Sequence, residues 1–338
     1  MKRLCTMMQD TFPSLTSLGL ELHGRTGAAP ALPEAFLGAS ALHLEYIFLT
    51  HIAYPALPKL VSSATRLVFL SLGQIPHDGY ISPEVMADCL AASSSLQRVI
   101  IKFQSPRSRP RYGNPPPLTR VVLPALTRFE FQGVGEYLEG LVSRIDAPLL
   151  NSLRITFLTD ITFGIPQLCD FIVRSEIIKS WHCTTARVYL SHSTARVGVT
   201  SLVDLELTCD TSYQGLSWTV KLCNQLSPLL CHMENLEIRG PGSINPEEEL
   251  QEDTVSALCL GIFRPFAAVQ NLDASVRMGP LVALALRGLT GERVAEVLPA
   301  LRWLIFVEGP SPPPQEVVGP FIAARGLQVM LLPYVLGS

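Results

Sequence analysis

Charge is scarce in this chain. Charged residues make up 16% of the 338 positions, against about 25% in ordinary soluble domains. The 26 Lys+Arg and 29 Asp+Glu leave a net charge of -3. That balance argues against a nucleic-acid or membrane-surface binder driven by bulk charge. No run of about 18 uncharged apolar residues occurs, so no membrane-spanning helix is expected. The best candidate, Val255 to Phe263, is too short and meets Arg264. The opening MKRLCTMMQDTFPSL has two basic residues but no apolar run of signal-peptide length. No Asn-x-Ser/Thr acceptor is present. The eight cysteines (Cys5, Cys89, Cys169, Cys183, Cys209, Cys223, Cys231 and Cys259) include no C-x-x-C pair, which suggests neither a zinc site nor a redox pair. The expectation is a reduced, intracellular protein, cytoplasmic or nuclear.

Catalytic signatures are missing too. The seven histidines form no H-E-x-x-H, and there is no G-x-S-x-G, G-x-G-x-x-G or phosphate-binding loop. His182-Cys183 and Cys231-His232 could each be a nucleophile beside its base, but adjacent residues on an extended segment point oppositely and could not bond to each other. The acidic run Glu247-Glu248-Glu249 is a conceivable metal site, better read as a solvated loop. No enzyme, cofactor or metal is expected.

What the chain does have is an apolar content of 48%, enough for a core, and 27 prolines, which imply many chain reversals. It also has a repeat. An apolar residue, two of any kind, an apolar, one of any kind and an apolar recur at Leu15/Leu18/Leu20, Leu44/Ile47/Leu49, Leu67/Leu70/Leu72 and Leu96/Val99/Ile101. Further copies are Leu126/Phe129/Phe131, Leu150/Leu153/Ile155, Leu202/Leu205/Leu207, Met233/Leu236/Ile238, Val269/Leu272/Ala274 and Leu301/Leu304/Phe306, with a degraded one at Cys183/Ala186/Val188. The mean spacing of about 29 residues lies at the long end for leucine-rich repeats.

The physics of the motif is simple. Its last two apolar positions share one side of a short strand. One strand cannot bury that face alone, so copies must stack into a parallel sheet with a continuous core. Parallel neighbours need crossovers, and the intervening segments have helical periodicity. Val134, Tyr137, Leu138, Leu141, Val142 and Ile145 make one apolar face; Val255, Leu258, Cys259, Ile262, Phe263 and Phe266 make another. Trp218, Leu222, Leu226, Leu229 and Leu230 mark a third, and Ser82-Pro83-Glu84 is a helix start. The expected fold is therefore α/β: a leucine-rich-repeat-like solenoid, a curved parallel sheet of about 11 strands with crossover helices. Ten copies of one spacing are hard to reconcile with a generic doubly wound domain. The expected layout is a lead-in over 1–14 and a single domain over 15–338, with exposed loops at 105–117, 240–249 and 309–314. The first loop, SPRSRPRYGNPPP, is basic through Arg107, Arg109 and Arg111, and its Ser105 and Ser108 are candidate phosphorylation sites. The Asn or Cys usual eight residues after each first leucine is replaced in the first five copies by His23, Ile52, Ile75, Gln104 and Val134.

LPALTRFEFQGVGEYLEGLVSRIDAPLLNSLRITF (Leu123 to Phe157) resembles the C-terminal leucine-rich-repeat region of F-box proteins from mushroom-forming (basidiomycete) fungi. So do LVFLSLGQIPHDGYISPEVM (Leu67 to Met86), FQSPRSRP (Phe103 to Pro110) and LTGERVAEVLPALRWL (Leu289 to Leu304). The resemblance implies a protein-interaction domain, the substrate-recognition part of a cullin-type ubiquitin ligase. The F-box itself, a helical segment of the family's N-terminus, finds no match in the residues before the first repeat. A cullin ligase adaptor is thus a partner only if an F-box lies upstream, and a free-standing scaffold or truncated paralogue is the alternative.

In such an architecture the non-core strand positions form the binding face. The early copies offer Tyr46, Phe48, Phe69 and Ile100; the later ones offer Asp204, Glu206, Glu234, Glu237 and Asp273. The expected partner is a protein with an apolar anchor and a basic segment, since aromatic anchors carry binding energy and charges mostly steer.

Overall fold

The computed structural model describes residues 12–22, 31–33, 36–39, 42–106, 119–158, 164–176, 184–191, 193–199, 202–209, 211–240, 252–275, 277–287, 289, 296–307 and 315–332. The chain divides into two compact units, residues 1–159 with 165–181, and residues 160–164 with 182–338.

In the first unit, β1 (Ser17–Glu21), β2 (Tyr46–Thr50), β3 (Phe69–Ile75), β4 (Arg98–Phe103), β6 (Arg128–Gly133) and β8 (Ser152–Phe157) lie side by side in that order, every pair parallel. A separate two-stranded ladder joins β5 (Val121–Val122) to β7 (Ile145–Asp146). The crossovers carry α1 (Leu57–Ser63), α2 (Pro83–Ala91), α3 (Gly135–Val142) and α4 (Pro166–Arg174). Each predicted strand of this unit is present, and the register aligns the motif positions across it. Leu18, Ile47, Leu70, Val99, Phe129 and Leu153 form one buried row. Leu20, Leu49, Leu72, Ile101, Phe131 and Ile155 form the next, buried except at the edge residue Leu20.

Backbone bonds fix that register. One carbonyl just before each strand accepts two N–H groups from the following coil. Thr16 O takes Glu45 N and Tyr46 N at 2.8 and 3.1 Å, and Glu45 O takes Val68 N and Phe69 N at 2.8 and 3.0 Å. Val68 O, Gln97 O and Thr127 O continue the series. Side chains add ties between coils: Ser93 Oγ donates to Ala64 O (2.9 Å) and Ser175 Oγ to Leu150 O (2.9 Å). Ser82 caps α2 by accepting from Val85 N, as its Ser-Pro-Glu sequence predicts. Helix α4 has no cap of its own at Ile165. The Glu139 carboxylate of α3 accepts from Gln167 N (3.0 Å) and Leu168 N (2.8 Å) instead, satisfying donors that every helix start leaves over.

An aromatic cluster fills one end of this core. Tyr137 stacks on Phe131 with ring centroids 5.8 Å apart, and meets Phe103 edge-on at 4.7 Å and Tyr80 at 5.9 Å. Gly133 makes room for it: a Cβ there would lie 2.7 Å from Phe131 and 2.9 Å from Phe103. Burial drives the Tyr137 phenol well above its ordinary pKa, with further repulsion from Tyr80, Cys89 and Glu84.

In the second unit, β9 (Thr185–Leu190), β10 (Thr194–Val199), β11 (Val203–Thr208), β12 (Asn235–Arg239), β13 (Asn271–Ala274), β14 (Trp303–Val307) and β15 (Gln328–Leu332) form the order β11-β10-β9-β12-β13-β14-β15. The intervening helices are α5 (Ser212–Gln225), α6 (Ser227–Leu230), α7 (Glu252–Phe263), α8 (Gly279–Arg287) and α9 (Gln315–Arg325). The degraded copy is a true strand, β9, with Ala186 and Val188 buried. Leu205, Val197, Val188, Ile238, Ala274 and Phe306 align as one buried row. The carbonyl clamp recurs: Thr184 O, Glu234 O and Gln270 O each take two N–H groups from the next coil, and Arg302 O takes Gln328 N. Asparagines join in, Asn271 Nδ2 donating to Asn235 Oδ1 at 2.6 Å and Asn235 Nδ2 to Thr184 Oγ1 at 2.9 Å.

Two strands of this unit go beyond the repeat reading, β10 and β15. Strand β10 runs antiparallel to both its neighbours. The reason is connection length. Three residues separate β9 from β10 and three separate β10 from β11, enough for a hairpin and far short of the dozen a parallel crossover needs. The apolar face predicted through Trp218 to Leu230 is also split, between α5 and α6. Pro228 cannot continue the donor ladder of α5. In the first unit, α3 ends at Val142, so Ile145 passes into β7 rather than extending the helix.

The loops expected at 105–117, 240–249 and 309–314 fall outside the described residues apart from Ser105, Pro106 and Gly240, and so do Ser108 and the three arginines. Among the described residues no helix is long and apolar enough to cross a membrane.

Phe129→Ala is expected to lower unfolding free energy by about 3–5 kcal/mol, because Phe129 is fully buried in the middle of its row and packs on Phe171 at 6.3 Å. Leu18→Ala on the edge strand β1 should cost less. Urea titrations of the two variants give the comparison.

Candidate interaction faces

Strand residues that alternate with the core rows point away from the helices. In the first unit they make three rows across β2, β3, β4, β6 and β8. The first is Tyr46, Phe69, Arg98, Arg128 and Ser152; the second is Phe48, Ser71, Ile100, Glu130 and Arg154. The third includes Thr50, Gly73, Lys102, Gln132 and Thr156, with a bulge in β3 past Leu72. All four early candidates sit on this face. Tyr46 directly opposes Phe69, and Ser71 separates Phe48 from Ile100. Tyr46 is 46% and Phe48 39% exposed, while Phe69 and Ile100 are half-buried.

The same face carries cations. Arg98 lies over the Phe69 ring, 5.9 Å from its centroid. Glu130 is only 5% exposed and serves two cations. Its carboxylate accepts from Arg128 Nε at 2.9 Å and faces Lys102 Nζ at 3.1 Å. Burial works to raise the Glu130 pKa, but the hydrogen bonds and charges of Arg128 and Lys102 outweigh it and hold the carboxyl below its ordinary range.

The five acidic candidates lie in the second unit, Asp204 and Glu206 on β11, Glu237 on β12, Asp273 on β13, and Glu234 exposed just before β12. Four of them are engaged by arginines. Arg196 on β10 directly opposes Glu206 and reaches it at 2.5 Å, with Asp204 at 3.4 Å. Arg187 on β9 opposes Glu237 and donates to it at 3.0 Å. Glu237 and Asp273 also oppose each other, a repulsive pairing for like charges. Arg239 offsets it by contacting Asp273 at 2.8 Å and Glu237 at 3.4 Å. The arrangement is a mixed lattice of acid and arginine rather than a bare acidic stripe. Beyond it, Trp303 (36% exposed), Ile305 and Met330 add an apolar group on β14 and β15.

The arginines and Trp303 were absent from the candidates, although a signal existed. Arg187 fills the outward slot of the degraded copy, and Arg196 stands between Ala195 and Val197 in an alternating segment. Trp303 and Ile305 repeat the alternation that flagged Tyr46 and Phe48.

Among the described cysteines, burial raises the pKa of four thiols. Burial pushes Cys89 and Cys169 up to about 11, helped by Asp88 for the first and by Glu139 and Asp170 for the second. Burial alone takes Cys223 and Cys259 up to about 12. Cys231 is partly exposed and donates to Pro228 O, with His232 exposed beside it. His182, Cys183 and the run Glu247-Glu248-Glu249 lie outside the described residues. No group of three His, Cys, Asp or Glu able to hold a metal occurs among the described residues.

Repeated strand, turn and helix with in-register apolar rows define a leucine-rich-repeat type of α/β fold. Among solved structures, the chain is similar to the leucine-rich repeat-containing protein LegL7 from Legionella pneumophila. Identity is 12%, coverage 95% of this chain and 94% of that one, and the TM-score 0.32. So loose an overlay adds no weight to the fold, which rests on strand order and register. No protein-family profile matches the chain, and no curated protein matches it.

A depressed carboxyl pKa gives stability that is present above the unfolded value of about 4.3 and is lost as pH falls through the lower folded value. Glu130→Gln should therefore be less stable than the parent at pH 7 by about 1–3 kcal/mol. The gap should close toward pH 3, where the parent carboxyl is protonated as well. Urea midpoints of both proteins across that range check it.

Proposed function

We propose that this chain is a non-catalytic protein-interaction domain that holds its partner on the outward strand faces. The observation that carries the reading is the exposure of Tyr46 and Phe48 on a regular sheet face, beside Phe69 and Ile100. Scaffold-held aromatics of this kind supply binding energy when a partner desolvates them. The acid–arginine lattice of Asp204, Glu206, Glu237 and Asp273, with Glu234 beside it, supplies polar recognition. A basic partner segment would compete with Arg187, Arg196 and Arg239 for those acids. Residues 15–338 act as one interaction domain in this reading, in the cytoplasm or nucleus, needing neither metal nor cofactor.

The more specific role is substrate capture for a cullin-type ubiquitin ligase, favoured by the resemblance of Leu67–Met86 and Leu123–Phe157 to fungal F-box proteins. The other reading is a free-standing scaffold. Co-purification of a cullin adaptor with the complete gene product supports the ligase role, and its absence favours the scaffold.

A photo-crosslinking residue at Phe48 should trap a protein partner in the source cells, while one at the exposed helix residue Val85 should not. Adducts at Val85 alone would count against sheet-face binding. Changing Glu206, Glu237 and Asp273 to their amides should weaken capture by a partner that uses the lattice. Amides are preferred to reversed charges because lysines there would face Arg187, Arg196 and Arg239 and threaten the fold.

A further inference from the structure

We infer that the first unit's sheet face takes an acidic peptide segment carrying one aromatic anchor. The inference rests on sheet-face protein binding and adds the sign of the partner's charge and the spacing of its groups. Along β2 and β3 the outward residues are Tyr46, Phe48, Thr50, Phe69, Ser71 and Gly73, none of them charged, and on the edge strand β1 Glu21 opposes Thr50. Along β4, β6 and β8 they include Arg98, Lys102, Arg128 and Arg154, with Glu130 the one carboxylate in the three rows there.

Glu130 does not neutralise the group. It is buried and already shared by Lys102 and Arg128, so two cations stand against one anion. Arg98 is exposed and lies over the Phe69 ring, which draws the guanidinium without cancelling its charge. The face thus grades from aromatic to basic across one sheet. A chain whose net charge is -3 concentrates positive charge here, so the field is local to this face. Cations that share a carboxylate keep donors for a second anion, since a guanidinium has five N–H groups and an ammonium three.

Strand spacing sets the ruler. Neighbouring strands lie about 4.8 Å apart. Two steps, from β2 to β4, span about 10 Å, and four steps, from β2 to β8, about 19 Å. An extended peptide advances about 3.3 Å per residue. A segment crossing the strands with its aromatic side chain over Tyr46 and Phe48 therefore brings acids about three to six residues away onto Arg98, Lys102, Arg128 and Arg154. The anchor supplies affinity and the carboxylates direction and on-rate.

The test uses the full chain and three fluorescein-labelled peptides, GSWGSDEDGS, GSWGSKKKGS and GSAGSDEDGS, titrated by anisotropy at 50 and 300 mM salt. The first should bind at least tenfold tighter than either of the others and weaken several-fold at the higher salt. Arg98→Glu with Arg154→Glu, both at exposed sites, should lower its affinity at least tenfold, and Phe48→Ser should do likewise, with circular dichroism confirming the fold of each. Equal binding of the acidic and lysine peptides, or none up to 1 mM, overturns the inference. A Phe48 crosslink to a partner with no such peptide binding overturns it alone and leaves sheet-face binding standing. Loss of the crosslink as well removes both.

Discussion

A single backbone carbonyl per coil, placed just before the strand and accepting two N–H groups from the next coil, sets the register on which the rest of the structure depends. A one-residue slip would send every core side chain of a strand to the outer face. With Thr16, Glu45, Val68, Gln97 and Thr127 in the first unit, and Thr184, Glu234 and Gln270 in the second, slippage would break two bonds at each step. The clamp uses main-chain atoms, so it tolerates any residue at the position. That explains how polar Gln97, apolar Val68 and charged Glu234 serve equally. It also explains how the repeat persists although the usual turn asparagine is gone from the early copies.

Fixed register turns a sequence pattern into surfaces. Once the apolar rows face inward, the alternate residues of neighbouring strands stand in rows of their own, and their chemistry follows from the register. On the first unit Glu130 is forced beside Arg128 and Lys102, and it stays charged despite burial because both cations reach it. On the second, Glu237 faces Asp273 across the strands and needs Arg239 to hold the pair together. Burial of the Cys89, Cys169, Cys223 and Cys259 thiols follows from the same geometry, since each belongs to the apolar face of a helix that closes the core.

The eleven repeat strands from Leu18 to Phe306 were legible because each presents the same apolar spacing, which even the degraded Ala186/Val188 copy keeps; the two-residue strands β5 and β7 carry no such motif. The β10 reversal was not, because a repeat search assumes that each strand is followed by a crossover. Thr194–Val199 instead follows β9 after three residues. Its own signal was the alternation of Ala195, Val197 and Val199, too short to be separated from a loop by periodicity. Missing β10 meant missing Arg196, and with it the fact that Glu206 and Asp204 are engaged. Side-chain pairing across strands depends on which strands become neighbours, and that information is not local. Tyr46, Phe48 and Phe69 were easier to place because outward direction alone was enough to put them on the surface.

The reversed strand has a thermodynamic consequence of its own. Every parallel partner in the second unit is brought together across a long intervening segment, and the loss of chain freedom grows with that length. The β9, β10 and β11 segments meet across three residues at each turn, so their mutual closure costs the least conformational entropy of any strand pairing in that unit. They also supply Ala186, Val188, Val197 and Leu205 to the common interior. A stretch of two dozen residues thereby forms a small non-repetitive kernel, able to order on local contacts while the coils after it must wait for a neighbour to lean on.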